Sequence, residues 1–551
     1  MKMNSELPNT VEMFHAKTIG FLNLSVFGLL CFFVFFGWSD EASAEMVIDS
    51  CEKSFRFSRH ESSVKSFGSA SSGYDGQPAI FQVMVRRFEG GLDGITSQLP
   101  AIGKFSDVLL LSGLHPQTVG SMPNGNNGTT HNYFGYWPSD HGSINPAFGT
   151  LASLRALVDR AKQHGIRVTV DAVPAHFGYE GADTVYSFSG KNYPKLSDLP
   201  SEAFRSSDEV QGRDWSDLSS ANSPDEILRL WDKVFATKRL FGLPGFNHRN
   251  ELAREYLINS YKNFIDVGVT GFRIDAALYV DRYFLSDFIN QLSAYSNSKG
   301  RSLHFYVELL VHHDVALKVI AEDVLSRVQN KEEVFYLDFP LMDELRRAID
   351  PGAYKLEWLK GFYEYRQKIK VDRLQLIPTL VNHDFGYPFN APSRESTLYA
   401  IYSFLDGRSA LILGGTENTS AFKSTESVLS SVDGNGAMGI LNSRLANYLK
   451  HFQGNKVGNS SPSPARIETV DGNSRRIVMS RRHGTKSLLL FAGVDAPGIF
   501  SYSVRHGARF NKILSSPNAQ TSVGEAKNDG NITISFGDAD FILFEVDHGS
   551  L

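Results

Sequence analysis

The chain has 551 residues, of which 42% are hydrophobic and 21% are charged, as expected for a soluble globular protein with room for several domains. Its formal net charge is -5 and it has no long basic run, which argues against nucleic acid as a partner because phosphate binding requires clustered lysine and arginine. The two cysteines, Cys31 and Cys51, indicate neither a metal site nor a redox centre.

The N-terminal region is typical of a targeting segment. A continuous apolar run spans Ile19–Trp38, and Ala42-Ser43-Ala44 behind it fits a small-residue cleavage site. We therefore expect residues 1–44 to be a secretory signal, so that the mature protein is secreted or periplasmic. The run is also long enough to span a bilayer, and an uncleaved membrane anchor is the alternative.

Residues 77–460 alternate short apolar runs with amphipathic stretches. "AIFQVMV" and "DVLLLSG" predict strands, and Thr150–Gly165 predicts a helix with Thr150 as its N-cap. Further strands are expected at "IRVTVDAV", "LHFYVELL", "EVFYLDF", "LQLIPTLV" and "SALILGG". Strands that alternate with helices in this way predict an α/β fold, a (β/α)8 TIM barrel.

Two segments depart from this alternation. Residues 174–248, after the third strand, are rich in Gly, Ser, Pro and Asp and exceed the length of an ordinary loop, which predicts an inserted subdomain. Beyond Ser460, short strand-like runs separated by turns predict a C-terminal antiparallel β-domain, a β-sandwich over residues 461–551.

Charged side chains lie at the ends of several predicted strands. The run "VTGFRIDAALYV", Val269–Val280, suits a buried strand, yet it contains Arg273 and Asp275, which point the same way because strand side chains alternate. A buried structural ion pair would be enough to explain these two alone. Other strand ends carry Asp171, His176, Glu308, His383 and Asp384. In a barrel these groups would meet at the C-terminal mouth, where active sites lie.

At these positions the sequence resembles the α-amylase family of glycoside hydrolases. "DAVPAH", "GFRIDAA", "VE" in "FYVELL" and "VNHD" resemble the four motifs of that family in their order. "GYWPSDHGSINPAFGT" and "GLPGFNHRNELAREYL" strengthen the match. The resemblance covers the chain from about Gln77 to the C-terminus, and it implies the same barrel, insertion and C-terminal domain.

The resemblance also implies roles for the charged residues. Asp275 resembles the nucleophile, and Arg273 on the same face would favour its ionised form. Glu308 resembles the general acid–base, whose apolar neighbours would favour the protonated acid. Asp384 resembles the third carboxylate, which binds sugar hydroxyls and stabilises the distorted transition state. Two carboxylates acting in this way imply retained anomeric configuration.

Three further residues are expected to bind the sugar at the point of cleavage. His176 and His383 resemble the histidines that hydrogen-bond this sugar. Tyr136 resembles the aromatic residue on which the sugar stacks.

The sequence departs from the family pattern at several positions. Ala175 stands where the first motif has Asn, and Leu278 and Tyr279 stand where the second has a Lys-His pair. In many members that Asn and that His help to bind a structural calcium ion, so we expect no calcium at this place and no other cofactor. Val307 replaces the usual Gly before the acid, which leaves the chain-length preference open.

The resemblance implies a secreted retaining hydrolase of α-1,4 bonds in starch-like glucans or maltooligosaccharides. A transglycosylase or an exo-acting α-glucosidase of the same family is an alternative, because the same three carboxylates serve all of these. A non-catalytic membrane-anchored relative is another, although such relatives have lost the three carboxylates that are present here.

Overall fold

The computed structural model describes residues 80–379 with gaps at 89, 104–105, 119–134, 182–183, 206–207, 349–355 and 357, then parts of 397–413 and most of 466–547. The predicted targeting segment, residues 1–44, lies outside the described residues. Among the residues described, no helix combines the length and the apolar character that crossing a bilayer requires.

Eight parallel strands form one sheet, and their order follows the chain. They are β1 (Ile80–Val83), β2 (Val108–Leu111), β3 (Arg167–Ala172), β4 (Gly271–Ile274), β5 (His304–Val307), β6 (Val334–Asp338), β7 (Leu376–Pro378) and β8 (Leu411–Leu413). The order in the sheet is β8-β1-β2-β3-β4-β5-β6-β7, so β8 lies beside β1. This is the strand order of a TIM barrel, and the fold class is confirmed.

Amphipathic helices cover the outside of this sheet. They are α1 (Gly91–Ile102), α2 (Leu151–Gln163), α3 (Glu251–Asp266), α4 (Arg282–Ser298), α5 (Asp314–Arg327), α6 (Phe339–Ala348) and α7 (Trp358–Ile369). Thr150 caps α2 as expected, because its hydroxyl accepts a hydrogen bond from the Ser153 N–H at 3.1 Å. Leu154 and Leu157 are buried on the face of α2 that contacts the barrel.

The two faces of the strands differ in what they pack against. On β4, Phe272 and Ile274 belong to the large apolar cluster beneath the helices. Because strand side chains alternate, Arg273 lies on the opposite face, toward the barrel interior. A smaller cluster that includes Ile80, Leu110 and Tyr306 fills this interior.

The segment between β3 and α3 forms a compact unit on the barrel. It contains a hairpin, Tyr186–Phe188 with Lys191–Tyr193, two helices at Gly212–Ser220 and Pro224–Leu230, and a π-helical turn at Trp231–Phe235. Its two ends pair through an antiparallel bridge between His176 and Gly245. Aromatic side chains pack at its base, among them Phe177, Phe188, Phe204, Phe246 and Tyr256.

The C-terminal part is antiparallel, as predicted. One sheet has five strands: Arg466–Thr469, Arg476–His483, Lys486–Val494, Ala539–Asp547 and Arg509–Ser515. A second sheet has three: Gly498–Ser503, Asn531–Phe536 and Gln520–Thr521. Val478, Phe491 and Ile534 share an apolar cluster that includes residues of both sheets. The Arg481 Nε donates to the Phe404 carbonyl at 2.8 Å and ties this domain to the barrel. The domain boundaries themselves stay predictions.

Candidate active site

Arg273 lies at the centre of a buried group of carboxylates. Its Nη1 is 2.7 Å from the Asp275 Oδ1 and 3.5 Å from the Asp171 Oδ2, and its Nη2 donates to the Glu308 Oε1. The strand register explains this meeting, since Asp171 pairs with Arg273 across β3 and β4, and Ile274 pairs with Val307 across β4 and β5. Asp275 and Glu308 therefore follow the last paired residues of adjacent strands.

The turn after β4 fixes both catalytic candidates. The Asp275 N–H donates to the Ala172 carbonyl at 2.8 Å, and Ala276 then adopts a left-handed conformation with φ of 46°. This turn ends the strand at Ile274, well before the Val280 limit of the predicted strand. It also directs the Ala276 N–H to the Glu308 Oε2 at 2.9 Å. Both oxygens of Glu308 thus accept hydrogen bonds.

The site carries an excess of negative charge. Arg273 is 2% exposed, and Asp275 and Glu308 are 8% and 5% exposed. Burial alone would lower the pKa of Arg273, but the carboxylates of Glu308, Asp171 and Asp275 outweigh it and hold that pKa well above its ordinary value. One permanent cation among three carboxylates leaves a field that stabilises positive charge developing nearby.

Tyr136 contacts the same network. Its hydroxyl donates to the Asp171 Oδ2, and its ring centroid is 5.4 Å from the Arg273 Cζ. Burial and the neighbouring Asp171 raise the pKa of Tyr136 well above its ordinary value, so the hydroxyl stays a donor. The ring is 5% exposed, and its predicted stacking on a sugar stays a prediction.

His176 is neutral in this environment. Burial lowers its pKa to about 4, and its Nδ1 is 3.1 Å from the Phe177 carbonyl oxygen. Since a carbonyl accepts, Nδ1 carries the proton and Nε2 is the acceptor nitrogen. His383 and Asp384, the other predicted members of the site, lie outside the described residues.

Asp171 is the residue whose importance the sequence understates. The sequence indicates only that it lies near a strand end, whereas in the structure it is fully buried and contacts both Arg273 and Tyr136. The available signal is its position, because Asp171 is the penultimate residue of β3 and pairs with Arg273 of β4. It positions the arginine and the tyrosine together.

A family model matches the part of the chain that contains Asp171, Arg273, Asp275 and Glu308. Residues 53–318 match the family model described as the alpha-amylase catalytic domain. The match covers just under half of the chain and supports the alpha-amylase family. The family predicted from the four motifs is thus confirmed.

The curated relatives that this chain resembles include cyclomaltodextrin glucanotransferases. A cyclomaltodextrin glucanotransferase of Bacillus sp. (strain 38-2) is 24% identical over 259 residues, which are 46% of this chain and 33% of that relative. The chain matches less than half the length of such curated relatives.

Solved structures show the same fold. The alpha-amylase of Geobacillus thermoleovorans complexed with acarbose superposes with a TM-score of 0.60 at 17% identity, covering 86% of this chain and 99% of that one. An Anoxybacillus alpha-amylase superposes with a TM-score of 0.61 at 17% identity, covering 87% of this chain and 99% of that one.

Proposed function

We propose that the chain is a retaining glycoside hydrolase that cleaves α-1,4-glucosidic bonds of starch-like glucans or maltooligosaccharides. The observation that carries the proposal is the single buried guanidinium that contacts both Asp275 and Glu308 at the ends of adjacent strands. A pair of carboxylates on one wall of a barrel mouth supplies the nucleophile and the acid that glycoside cleavage requires. Family membership supports a glycosidase or transglycosylase of this type.

In the first step, Asp275 attacks the anomeric carbon while the glycosidic oxygen leaves with a proton from Glu308. Arg273 orients the nucleophile through the 2.7 Å contact to Oδ1 and favours its charged form. The excess negative charge of the site stabilises the oxocarbenium-like transition state. In the second step Glu308 accepts a proton from water while the water oxygen attacks the anomeric carbon, which breaks the bond to Asp275 and releases the sugar with retained configuration. We expect the two carboxyl groups to lie about 5–5.5 Å apart.

Glu308 has to leave part of its network to act as an acid. Its Oε1 accepts from Arg273 and its Oε2 accepts from the Ala276 N–H at 2.9 Å. To act as an acid, Glu308 has to direct an O–H to the glycosidic oxygen, which requires a carboxyl oxygen that the sugar can reach. We therefore infer that the incoming sugar separates Glu308 from Arg273 and frees Oε1 for this role.

Transglycosylation is the second candidate function. It is favoured by the name of the curated relatives, cyclomaltodextrin glucanotransferase. The chemistry up to the covalent intermediate is identical, and the outcome depends on whether water or a sugar hydroxyl reaches the anomeric carbon. A non-catalytic membrane-anchored relative is disfavoured, because Arg273, Asp275 and Glu308 are all present and in contact.

We propose export from the cytoplasm as well. The apolar run Ile19–Trp38 and the small residues at Ala42–Ala44 support a cleaved signal. N-terminal sequencing of the protein from the producing cells tests this, since an N-terminus at Glu45 supports cleavage and an intact apolar segment supports the membrane anchor.

The activity is tested by following products from soluble starch, a maltooligosaccharide ladder and sucrose. We expect products with wild type and none with Asp275→Asn, while Asp287→Asn, which changes a surface carboxylate paired with Arg254, should keep full activity. Product lengths separate hydrolysis from transfer. A folded wild-type chain that acts on none of these α-glucosides would contradict the proposal.

A further inference from the structure

A partly buried arginine, Arg205, lies outside the carboxylate network, in the inserted segment. The backbone N–H of Arg205 donates to the Gly245 carbonyl at 2.8 Å. The side chain of Arg205 then passes across Gly245. A Cβ at that glycine would lie 3.0 Å from the Arg205 Cδ, so the absence of a side chain there keeps this path open. The guanidinium then ends among the turns that join the insertion to the barrel.

Each N–H of this guanidinium has an acceptor. Nε donates to the Phe246 carbonyl at 2.8 Å, and Nη1 donates to the carbonyls of Phe235 at 3.1 Å and Lys238 at 2.9 Å. Nη2 donates to the His248 Nδ1 at 3.1 Å and to the Tyr279 carbonyl. These five bonds use all five N–H donors of an arginine.

The acceptors are neutral, which is unusual for a cation that is partly buried. Among the described residues, no carboxylate oxygen lies within 4.0 Å of the Arg205 guanidinium. Burial lowers the pKa of Arg205 to about 9, so it remains charged at neutral pH. Burying a charge is costly unless polar groups surround it, and here backbone carbonyls take that part. Converging carbonyl oxygens are also the ligands that hard metal cations prefer.

His248 is held in the form that accepts. Its Nε2 is 2.9 Å from the Pro174 carbonyl oxygen, which places the ring proton on Nε2. Nδ1 is therefore the acceptor for Arg205 and for the Asp281 N–H at 3.3 Å. Burial, with Arg205 adding to it, lowers the pKa of His248 well below its ordinary value. The ring stacks on Phe284 with centroids 4.8 Å apart, which fixes its orientation.

The guanidinium of Arg205 lies at the position where many members of the family that the sequence resembles bind a structural calcium ion. The positions concerned are Ala175 and Tyr279, which stand where the motifs have Asn and His. Ala175 offers no side-chain oxygen, and the Tyr279 carbonyl accepts from Arg205. The residues present therefore do not fit a calcium ion here, because a positive group already fills the carbonyl cage.

We propose that Arg205 is the built-in cation of this junction, that it takes the place of a metal ion, and that the stability of the folded chain does not depend on calcium. Arg205 joins the π-helical turn and the return of the insertion to the turn that follows Asp275. It is a positioning residue and does not touch the carboxylates of the site.

The first test is thermal unfolding of the purified full chain in excess EDTA and in excess calcium. We expect the midpoint temperature of wild-type unfolding to be the same in EDTA and in calcium. Arg205→Met should lower it by about 5 °C or more, because the cage is left without its cation. The control Arg229→Met changes an exposed arginine of the same insertion and should leave the midpoint unchanged.

The second test separates the cation from simple packing. Ethylguanidinium added to Arg205→Ala should restore a large part of the lost midpoint, whereas ethylurea, its neutral isostere, should not. A wild-type midpoint that falls in EDTA and returns with calcium would overturn the proposal even if the variants fail to fold. An Arg205→Met midpoint equal to wild type, or equal rescue by both additives, would also overturn it. None of these readouts requires catalytic activity, so they stand apart from the proposed function.

Discussion

Replacing Arg273 by lysine keeps the charge and removes the geometry that connects the carboxylates. The guanidinium contacts Asp275, Asp171 and Glu308 through two different nitrogens, whereas a lysine has one ammonium nitrogen on a flexible stem. Hydrogen bonds between charged groups contribute about 1.5–3 kcal/mol each. Loss of two of the three contacts should therefore lower the free energy of unfolding by about 3 kcal/mol or more.

The effect on catalysis should be of similar size. A nucleophile held loosely loses the alignment on which the rate depends, so kcat/KM should fall about 100-fold, which corresponds to about 2.7 kcal/mol. Urea unfolding and initial rates on a maltooligosaccharide measure the two effects. Arg254→Lys is the matched control, because Arg254 pairs with Asp287 at 2.7 Å on the surface, where such a pair contributes less than about 1 kcal/mol. If Arg273→Lys keeps kcat/KM within about threefold of wild type, the geometric role of Arg273 is wrong.

Three further changes test separate parts of the structure. Tyr136→Phe removes the hydroxyl that donates to Asp171, so urea unfolding should show a loss of about 1.5–3 kcal/mol while KM changes little, because the ring remains. Burial lowers the pKa of His115 and His176 to about 4, below the unfolded value of 6.5, so stability should be full above pH 6.5. Below pH 6.5 the free energy of unfolding should fall by about 1.4 kcal/mol per pH unit for each histidine, down to pH 4. A free energy from urea unfolding that stays constant between pH 6.5 and pH 4 would contradict the lowered pKa of these histidines. Arg366→Met leaves two buried carboxylates without their cation and should cost about 3–5 kcal/mol in urea unfolding, with an unchanged kcat for the molecules that remain folded.

The barrel and much of the site follow from local patterns. Short apolar runs predict the strands, which are three to six residues long, and Thr150 marks the start of α2 as expected. The contact between Arg273 and Asp275 follows from the two-residue period of a strand. The contact with Glu308 requires only that neighbouring parallel strands end at the same edge.

The remaining features depend on long-range geometry that no short pattern contains. The end of β4 at Ile274 depends on the left-handed turn at Ala276, an ordinary alanine in the sequence. Arg205 lies in a stretch rich in turn residues, and four of its five partners are backbone carbonyls. Because every residue type has a backbone carbonyl, the hydrogen-bond acceptors of Arg205 cannot be predicted from the sequence.

The same property shapes how this junction tolerates change over evolutionary time. Positions 235, 238, 246 and 279 contribute backbone carbonyls to the cage, and any residue that keeps the backbone path supplies the same acceptor. The cage itself therefore constrains the residue type only at Arg205, His248 and the glycine at 245. At the other positions the constraint comes from packing, since Phe235, Phe246 and Tyr279 are buried, and from the ion pair between Lys238 and Asp214. An engineer who varies the insertion to alter substrate preference should keep the first three residues and the course of the turns.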